Sequence, residues 1–151
     1  MKNIIKDRRD IRFFFIGEGP TWADFKQEVE CSELQKYCVF TGRVHNVQSY
    51  LQGADLLLLP SIKEGLPISV VEAQASGIRC LLSDTITKEV DVGNVKYLPL
   101  KEAEWEKEIG DSEVISKEQR QKCSEIFRQS RFNILNEAAR VEKLYLELAS
   151  R

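Results

Sequence analysis

Histidine is almost missing from this sequence: His45 stands alone, and the four cysteines, Cys31, Cys38, Cys80 and Cys123, include no C-x-x-C pair. A zinc centre of the usual Cys/His kind is excluded on that ground. The cysteines read instead as reduced thiols of a cytoplasmic protein, and Cys80, inside Ile-Arg-Cys-Leu-Leu, as a small buried apolar residue. Long apolar runs are also missing. The longest, around Phe13–Ile16 and 54–60, fall far below the roughly 18 residues of a membrane span, and no segment has the layout of a signal peptide. Charge of one sign is not in excess, with 22 Lys and Arg against 24 Asp and Glu and a formal net charge of −2, so nucleic acid is not the expected partner. The basic stretch Lys6–Asp10 is interrupted by Asp7 and Asp10 and reads as a solvated turn. Repeats, low-complexity segments and Gly/Ser linkers are absent.

What is present is an ordinary globular composition, 42% hydrophobic over 151 residues, enough for one domain with one core. Short apolar runs alternate with amphipathic stretches, the pattern of βα units around a parallel sheet. Strands are expected at 11–16, 38–41, 55–59, 79–82 and 95–98, and helices at 21–30, 46–52 and 67–76. The unbroken Leu56–Leu59 run suits a strand covered on both faces. After Leu100 the pattern is helical, at 102–108, 116–127 and 132–149. In the last helix Ile134, Ala138, Val141, Tyr145 and Leu148 form one apolar stripe, expected to pack on its own domain, with docking on a partner or second domain as the alternative. The first ten residues read as the end of a helix leading into the first strand, as if part of the sheet lay upstream.

In open parallel sheets, ligands bind beyond the carboxyl ends of the strands, where helix N-termini offer free N–H groups. The loops there are Gly17–Pro20, 42–46, 60–65 and 83–89. Gly17-Glu18-Gly19-Pro20 has part of the dinucleotide pattern G-x-G-x-x-G, but Trp22 stands in the place of the third glycine, which lets helix and strand pack closely. A nicotinamide site is therefore not expected, and a tight strand-to-helix turn is the plain reading. A phospho-acceptor domain would need an aspartate at the carboxyl end of a strand. Asp55 stands at the beginning of one and is expected to cap or pair locally.

The loop and helix Ser61–Gly77 raise a sharper question. Pro67 suits a first helical turn and Gly77 suits the left-handed position past a helix end. Gly65 has no side chain to keep a ligand from the backbone, and the N–H groups of Gly65, Leu66, Ile68 and Ser69 lie near the positive end of the helix dipole, where a diphosphate fits. Helical spacing puts Glu72 with Ile68, Ala75 and Ser76 on a small, apolar face expected to look inward, where a carboxylate needs a partner. Two readings stay open. Glu72 could accept from both hydroxyls of a ribose, with Glu64 on the hydroxyls of a sugar beyond it. Alternatively, Glu64 favours the helix dipole and Glu72 pairs with a Lys or Arg.

Taken together, FFFIGEGP, then CVFTGRVHNVQSYLQGADLLLLPSIKEGLPISVVEAQASG, resemble the carboxy-terminal half of family 4 retaining glycosyltransferases of the GT-B fold, over about residues 11–100. Glu64 and Glu72, with seven residues between them, match that family's E-x7-E signature. LLSDTITKEVDVGNVKYLPL and FNILNEAARVEKLYLELA are similar to the branch associated with capsule and exopolysaccharide assembly. The resemblance implies a Rossmann-like α/β domain, core about 11–100 and helical tail about 101–151, that binds a nucleotide-sugar donor such as a UDP- or GDP-sugar without a metal or other cofactor. It implies Glu72 on the ribose and Glu64, the catalytic candidate, on donor-sugar hydroxyls. Gly65, Leu66, Ile68 and Ser69 would hold sugar and phosphate, Gly17 would lie near the diphosphate, and Arg43 and Val44 beside the base. His45 is then expected on the surface. The implied reaction moves a hexose-type sugar, with retention, to a growing cell-surface polysaccharide or lipid-linked acceptor, at the cytoplasmic face of the membrane. The alternative is a non-catalytic binding or scaffold module of the same fold. The family's first strand of this domain, with its diphosphate-clamping Arg and Lys, and its acceptor-binding amino-terminal domain are not recognised here, so the isolated chain is expected to be inactive. Arg79 replaces a common Pro and Thr85-Ile86-Thr87 a common Gly-Gly loop, which leaves the donor sugar open.

Overall fold

The computed structural model describes residues 1–150. In chain order the elements are α1 (Ile4–Asp7), β1 (Phe13–Ile16), α2 (Trp22–Glu30), β2 (Cys38–Gly42), α3 (Val47–Gly53), β3 (Leu56–Leu59), α4 (Ile68–Ala75), β4 (Arg79–Ser83), β5 (Val95–Leu98), α5 (Glu102–Gly110), α6 (Lys117–Arg128) and α7 (Ile134–Ala149), with short 3-10 turns at Glu33–Lys36 and Lys88–Val90. All five expected strands and six expected helices form, with ends moved by one or two residues. Every strand pairing is parallel, the arrangement that crossover helices impose. The chain is thus a parallel-sheet α/β protein, organised as two compact units, Met1–Ser49 with Lys101–Ser112 and Tyr50–Leu100 with Glu113–Arg151.

In the first unit β1 pairs with β2. An aromatic cluster covers one face of the pair: Phe15 stacks on Phe40 at 4.9 Å, and Phe25 and Trp22 meet these rings edge-on at 5.1 to 5.6 Å. Trp22 thus fills, as a packing residue, the place where a dinucleotide site needs glycine. Phe14, Ile16 and Val39 are exposed. Ile4 and Ile5 are buried in α1, as are Trp105 and Ile109 in α5. The Lys6–Asp10 stretch is not simply a solvated turn. Arg8 is half-buried, donates to the carbonyls of Gly110 (2.9 Å) and Ser112 (2.7 Å), and pairs with Asp10 at 2.9 Å. Nη1 satisfies the two carbonyls at a helix end while Nε and Nη2 form the fork on Asp10, a division of donors that a lysine's single nitrogen does not offer.

In the second unit the order is β3-β4-β5. β4 is the strand covered on both faces, with Cys80, Leu81, Leu82 and Ser83 all buried. The Leu56–Leu59 run, expected to be sealed, is half-buried along its length because β3 is an edge strand of this sheet. Gln74 of α4 is fully buried and bound three ways: its amide nitrogen donates to the carbonyls of Val90 (2.7 Å) and Val70 (3.3 Å), and its oxygen accepts from Val92 N–H (3.0 Å). One side chain so satisfies the backbone of the segment that leads to β5. Arg120 of α6 donates to the carbonyls of Ala54 (2.6 Å) and Ser76 (3.1 Å), and Gly77 lies beneath its main chain at φ +76°. Asp55 does not pair locally as expected: it accepts from Ile115 N–H at 3.1 Å, 60 residues along the chain. α6 opens with a capping box between Ser116 and Gln119. The stripe on α7 does not pack on its unit. No residue of that helix is buried, and Ile134, Val141, Tyr145 and Leu148 are all exposed.

Candidate donor site

The second unit brings together Glu64, Gly65, Leu66, Ile68, Ser69 and Glu72. β3 ends at Leu59 and the chain runs through an exposed loop into α4. Pro67 is buried at the N-cap, φ −73° and ψ 104°, one step before the first turn where it was expected. Having no N–H, it loses nothing there, and its carbonyl accepts from Val70 N–H (3.1 Å) and Val71 N–H (3.4 Å). No side chain caps the helix. Among the described residues the N–H groups of Gly65, Leu66, Ile68 and Ser69 have no protein acceptor. These are the unpaired donors of a helix start, at the positive end of its dipole. A Cβ on Gly65 would meet nothing within 4 Å, so the space over this backbone is open on this unit's side.

Glu72 corrects one expectation. Val70, Ala73 and Gln74 are the buried residues of α4, so the face carrying Ile68, Glu72 and Ala75 looks outward: Ile68 is 61% exposed and Glu72 is half-buried. Nor does Glu72 pair with a Lys or Arg. Among the described residues its carboxylate has no hydrogen bond or ion pair. Glu64 is exposed and does not cap α4. Its Oε1 instead accepts the hydroxyl of Ser61 at 2.8 Å.

Behind Ser61 lies an arrangement that the sequence did not announce. Its carbonyl accepts the hydroxyl of Ser83, the fully buried last residue of β4, and that of Thr85 at 3.1 Å, while the two hydroxyls lie 2.9 Å apart. The register Leu59↔Leu82 puts the carboxyl ends of β3 and β4 side by side and so creates these contacts. The sequence signal for them is slight: two hydroxyl-bearing residues, Ser83 and Thr85, at and just after the end of β4.

Gly17, Arg43 and Val44 belong to the first unit. Gly17 adopts φ +119°, open to glycine but strained for other residues, and its N–H bonds to the Gly42 carbonyl at 2.9 Å. The turn it opens leads directly into α2, as expected of a strand-to-helix turn. Arg43 and His45 are exposed and Val44 is half-buried. Among the described residues no group of three or more His, Cys, Asp or Glu could hold a metal ion, and no helix is long and apolar enough to cross a membrane. The four cysteines are free thiols. Cys80 is buried as expected, and its desolvation, with the nearby Asp91, pushes its thiol up to about 12.

A sequence profile of the family described as glycosyl transferases group 1 matches residues 1–111. The chain is 38% identical over 87 residues to the putative glycosyltransferase EpsF of Bacillus subtilis, covering 56% of this chain and 23% of that protein. It is 30% identical over 76 residues to the UDP-Gal:alpha-D-GlcNAc-diphosphoundecaprenol alpha-1,3-galactosyltransferase of Escherichia coli, covering 50% and 20% respectively. The matched stretches thus span about a fifth to a quarter of the length of these relatives. Among solved structures it superposes on Anabaena Alr3699/HepE, crystallised with UDP, at a TM-score of 0.73 over 97% of this chain and 43% of that one. The identity there is 13%, so the likeness is one of fold, that of the GT-B glycosyltransferases.

Proposed function

The chain belongs to the glycosyl transferases group 1 family, and on that premise we propose that it is the donor-binding part of a glycosyltransferase. The donor is a nucleotide-sugar such as a UDP- or GDP-hexose. The acceptor is a growing cell-surface polysaccharide or a lipid-linked saccharide, held by a separate amino-terminal domain that these 151 residues do not include. The whole enzyme works at the cytoplasmic face of the membrane. The observation that carries this reading is the outward face of α4 and its preceding loop, where four N–H groups and the Glu72 carboxylate have no partner among the described residues. Such groups suit a diphosphate followed by a ribose. A UDP complex in a protein of the same fold, and a UDP-sugar donor in the name of a relative, support the choice of ligand.

In this reading the N–H groups of Gly65, Leu66, Ile68 and Ser69 bind phosphate and sugar oxygens. Glu72 accepts from the ribose hydroxyls, and Glu64 from hydroxyls of the transferred sugar. Gly17, Arg43 and Val44 keep the diphosphate and base roles that the resemblance implies. Transfer proceeds with retention, on the same face of the sugar as the departing phosphate. The donors that hold the diphosphate act most as negative charge develops on it. No metal is required, since fixed N–H groups supply the positive potential.

Titration of the chain with UDP and GDP tests the reading, with binding expected in the high micromolar to millimolar range. Glu72→Gln should weaken it by ~1–3 kcal/mol, the cost of poorly paired polar groups, and leave thermal stability nearly unchanged because the carboxylate has no partner among the described residues. Unchanged affinity in the variant refutes the ribose role. The same titration in EDTA should give the same affinity, and a requirement for Mg²⁺ or Mn²⁺ overturns the proposed diphosphate site.

A further inference from the structure

We infer that Ser61, held by Ser83 and Thr85, is a positioning residue that fixes the Glu64 carboxylate for the sugar of the donor. This rests on the donor-site reading above and adds to it three residues that neither the resemblance nor the E-x7-E pair includes.

Glu64 lies on an exposed loop, and a glutamate there has free rotation about three side-chain bonds unless something holds it. A carboxylate that must select among sugar hydroxyls works best when its oxygens are already placed, because ordering it on binding costs affinity. Ser61 supplies the hold, donating its only hydroxyl proton to Oε1 of Glu64 at 2.8 Å. Oε2 has no partner among the described residues, so this carboxylate meets a ligand with one oxygen occupied and one free. A serine on a loose loop would fix nothing, and the other end of Ser61 answers that. Two hydroxyls lie within hydrogen-bond reach of its carbonyl, that of Ser83 at the end of β4 and that of Thr85 in the turn after it.

The proton count is consistent. Ser83 and Thr85 carry two hydroxyl protons for three close contacts. With Ser83 donating to Ser61, Thr85 can donate either to the same carbonyl or to Ser83. Ser83 is the anchor, fully buried at the end of the central strand. The line therefore runs from the core of the sheet to the tip of the loop, Ser83 and Thr85 to the Ser61 carbonyl, then the Ser61 hydroxyl to Glu64. Thr85 is exposed and forms its link on the surface, where it can be changed without opening the core.

The test separates sugar from nucleotide. The chain is titrated, followed by amide NMR, with UDP, GDP and the corresponding UDP- and GDP-hexoses, and the readout is the ratio of nucleotide to nucleotide-sugar dissociation constants. Ser61→Ala and Thr85→Val should each lower that ratio, by about 3- to 10-fold, a fraction of what a hydrogen bond to a charged group supports, and leave the affinity for UDP or GDP alone unchanged. Thr85→Ser, which keeps the hydroxyl, should retain the ratio, and Glu64→Gln should lower it at least as far as Ser61→Ala. A ratio that falls in Glu64→Gln but stands in Ser61→Ala and Thr85→Val refutes the positioning role and leaves the donor site intact. Variants that lose UDP and UDP-hexose affinity equally refute it too, since a loop that merely unfolds would behave so. Failure of every nucleotide and nucleotide-sugar to bind the unaltered chain overturns the donor-site reading and this inference with it.

Discussion

Gly77→Ala should destabilise the protein by about 2–4 kcal/mol, and the size follows from two features of one position. Gly77 closes α4 at φ +76°, where a Cβ costs roughly 1–2 kcal/mol. That Cβ would also lie 2.4 Å from the Arg120 carbonyl oxygen and 2.8 Å from its Cγ. The oxygen is main chain, so relief requires α6 to move. α6 is tied down at the same residue, whose guanidinium binds the Ala54 and Ser76 carbonyls. Overpacking of this kind costs about 1–3 kcal/mol, against which the reduced freedom of the unfolded chain returns only ~0.4–1 kcal/mol. Since a native domain has only about 5–15 kcal/mol in all, the melting temperature should fall by roughly 5–15 °C at the 2–4 °C per kcal/mol of a chain this size. Urea denaturation measures the change as a lower midpoint at constant slope. Gly65→Ala is the control, because its Cβ would meet nothing within 4 Å, and its midpoint should stay or rise slightly. A Gly77→Ala midpoint equal to that of the unaltered protein would refute the reasoning.

At pH 8 a thiol reagent should label the exposed Cys31 rapidly and leave Cys80 untouched until the protein unfolds, since Cys80 is buried and its thiol is pushed up to about 12; early loss of Cys80 in a mass-mapped time course would contradict its packing. The guanidinium of Arg8 holds the Asp10 carboxyl at about 2, below its ordinary 3.8. A depressed carboxylate contributes stability above its unfolded value, and that contribution fades as the pH falls from about 3.8 through about 2. Carbon-detected NMR should place the Asp10 midpoint near there in the native protein and return it toward 3.8 in Arg8→Gln, and a midpoint near 4 before substitution would remove the pair from the account.

The strand and helix positions were legible because the local signals agree: short apolar runs alternating with amphipathic stretches, Pro67 before α4 and Gly77 after it. What periodicity could not supply was direction. Residues 68, 72 and 75 share a face in any helix, but whether that face meets the sheet depends on the opposite one, and Val70, Ala73 and Gln74 take the sheet side. Glu72 therefore looks outward, and the unmet need for a protein partner disappears. The same limit hid the edge position of β3, since Leu56–Leu59 reads alike in a central or an outer strand. Ser61 and Ser83 stand 22 residues apart and become neighbours only through strand register. For α7 the stripe was read correctly and its packing was not, because a stripe says what a helix can bury and not what lies within reach.

A helix that buries none of its residues is held by its own resources. For α7 these are the Asn133 side chain accepting Leu135 N–H, the Glu137–Arg140 and Lys143–Glu147 pairs, and 16 residues of backbone hydrogen bonding. Isolated helices near that length are marginal in water, and such pairs contribute about 0.2–0.5 kcal/mol each. Its amide protons should therefore exchange with solvent through opening of the helix alone, at a rate that barely responds to low denaturant, while those of β4 wait for the unit to unfold. The two ends of one polypeptide unit would then keep separate clocks, and any surface that came to cover α7 would be detected first as a slowing of the faster one.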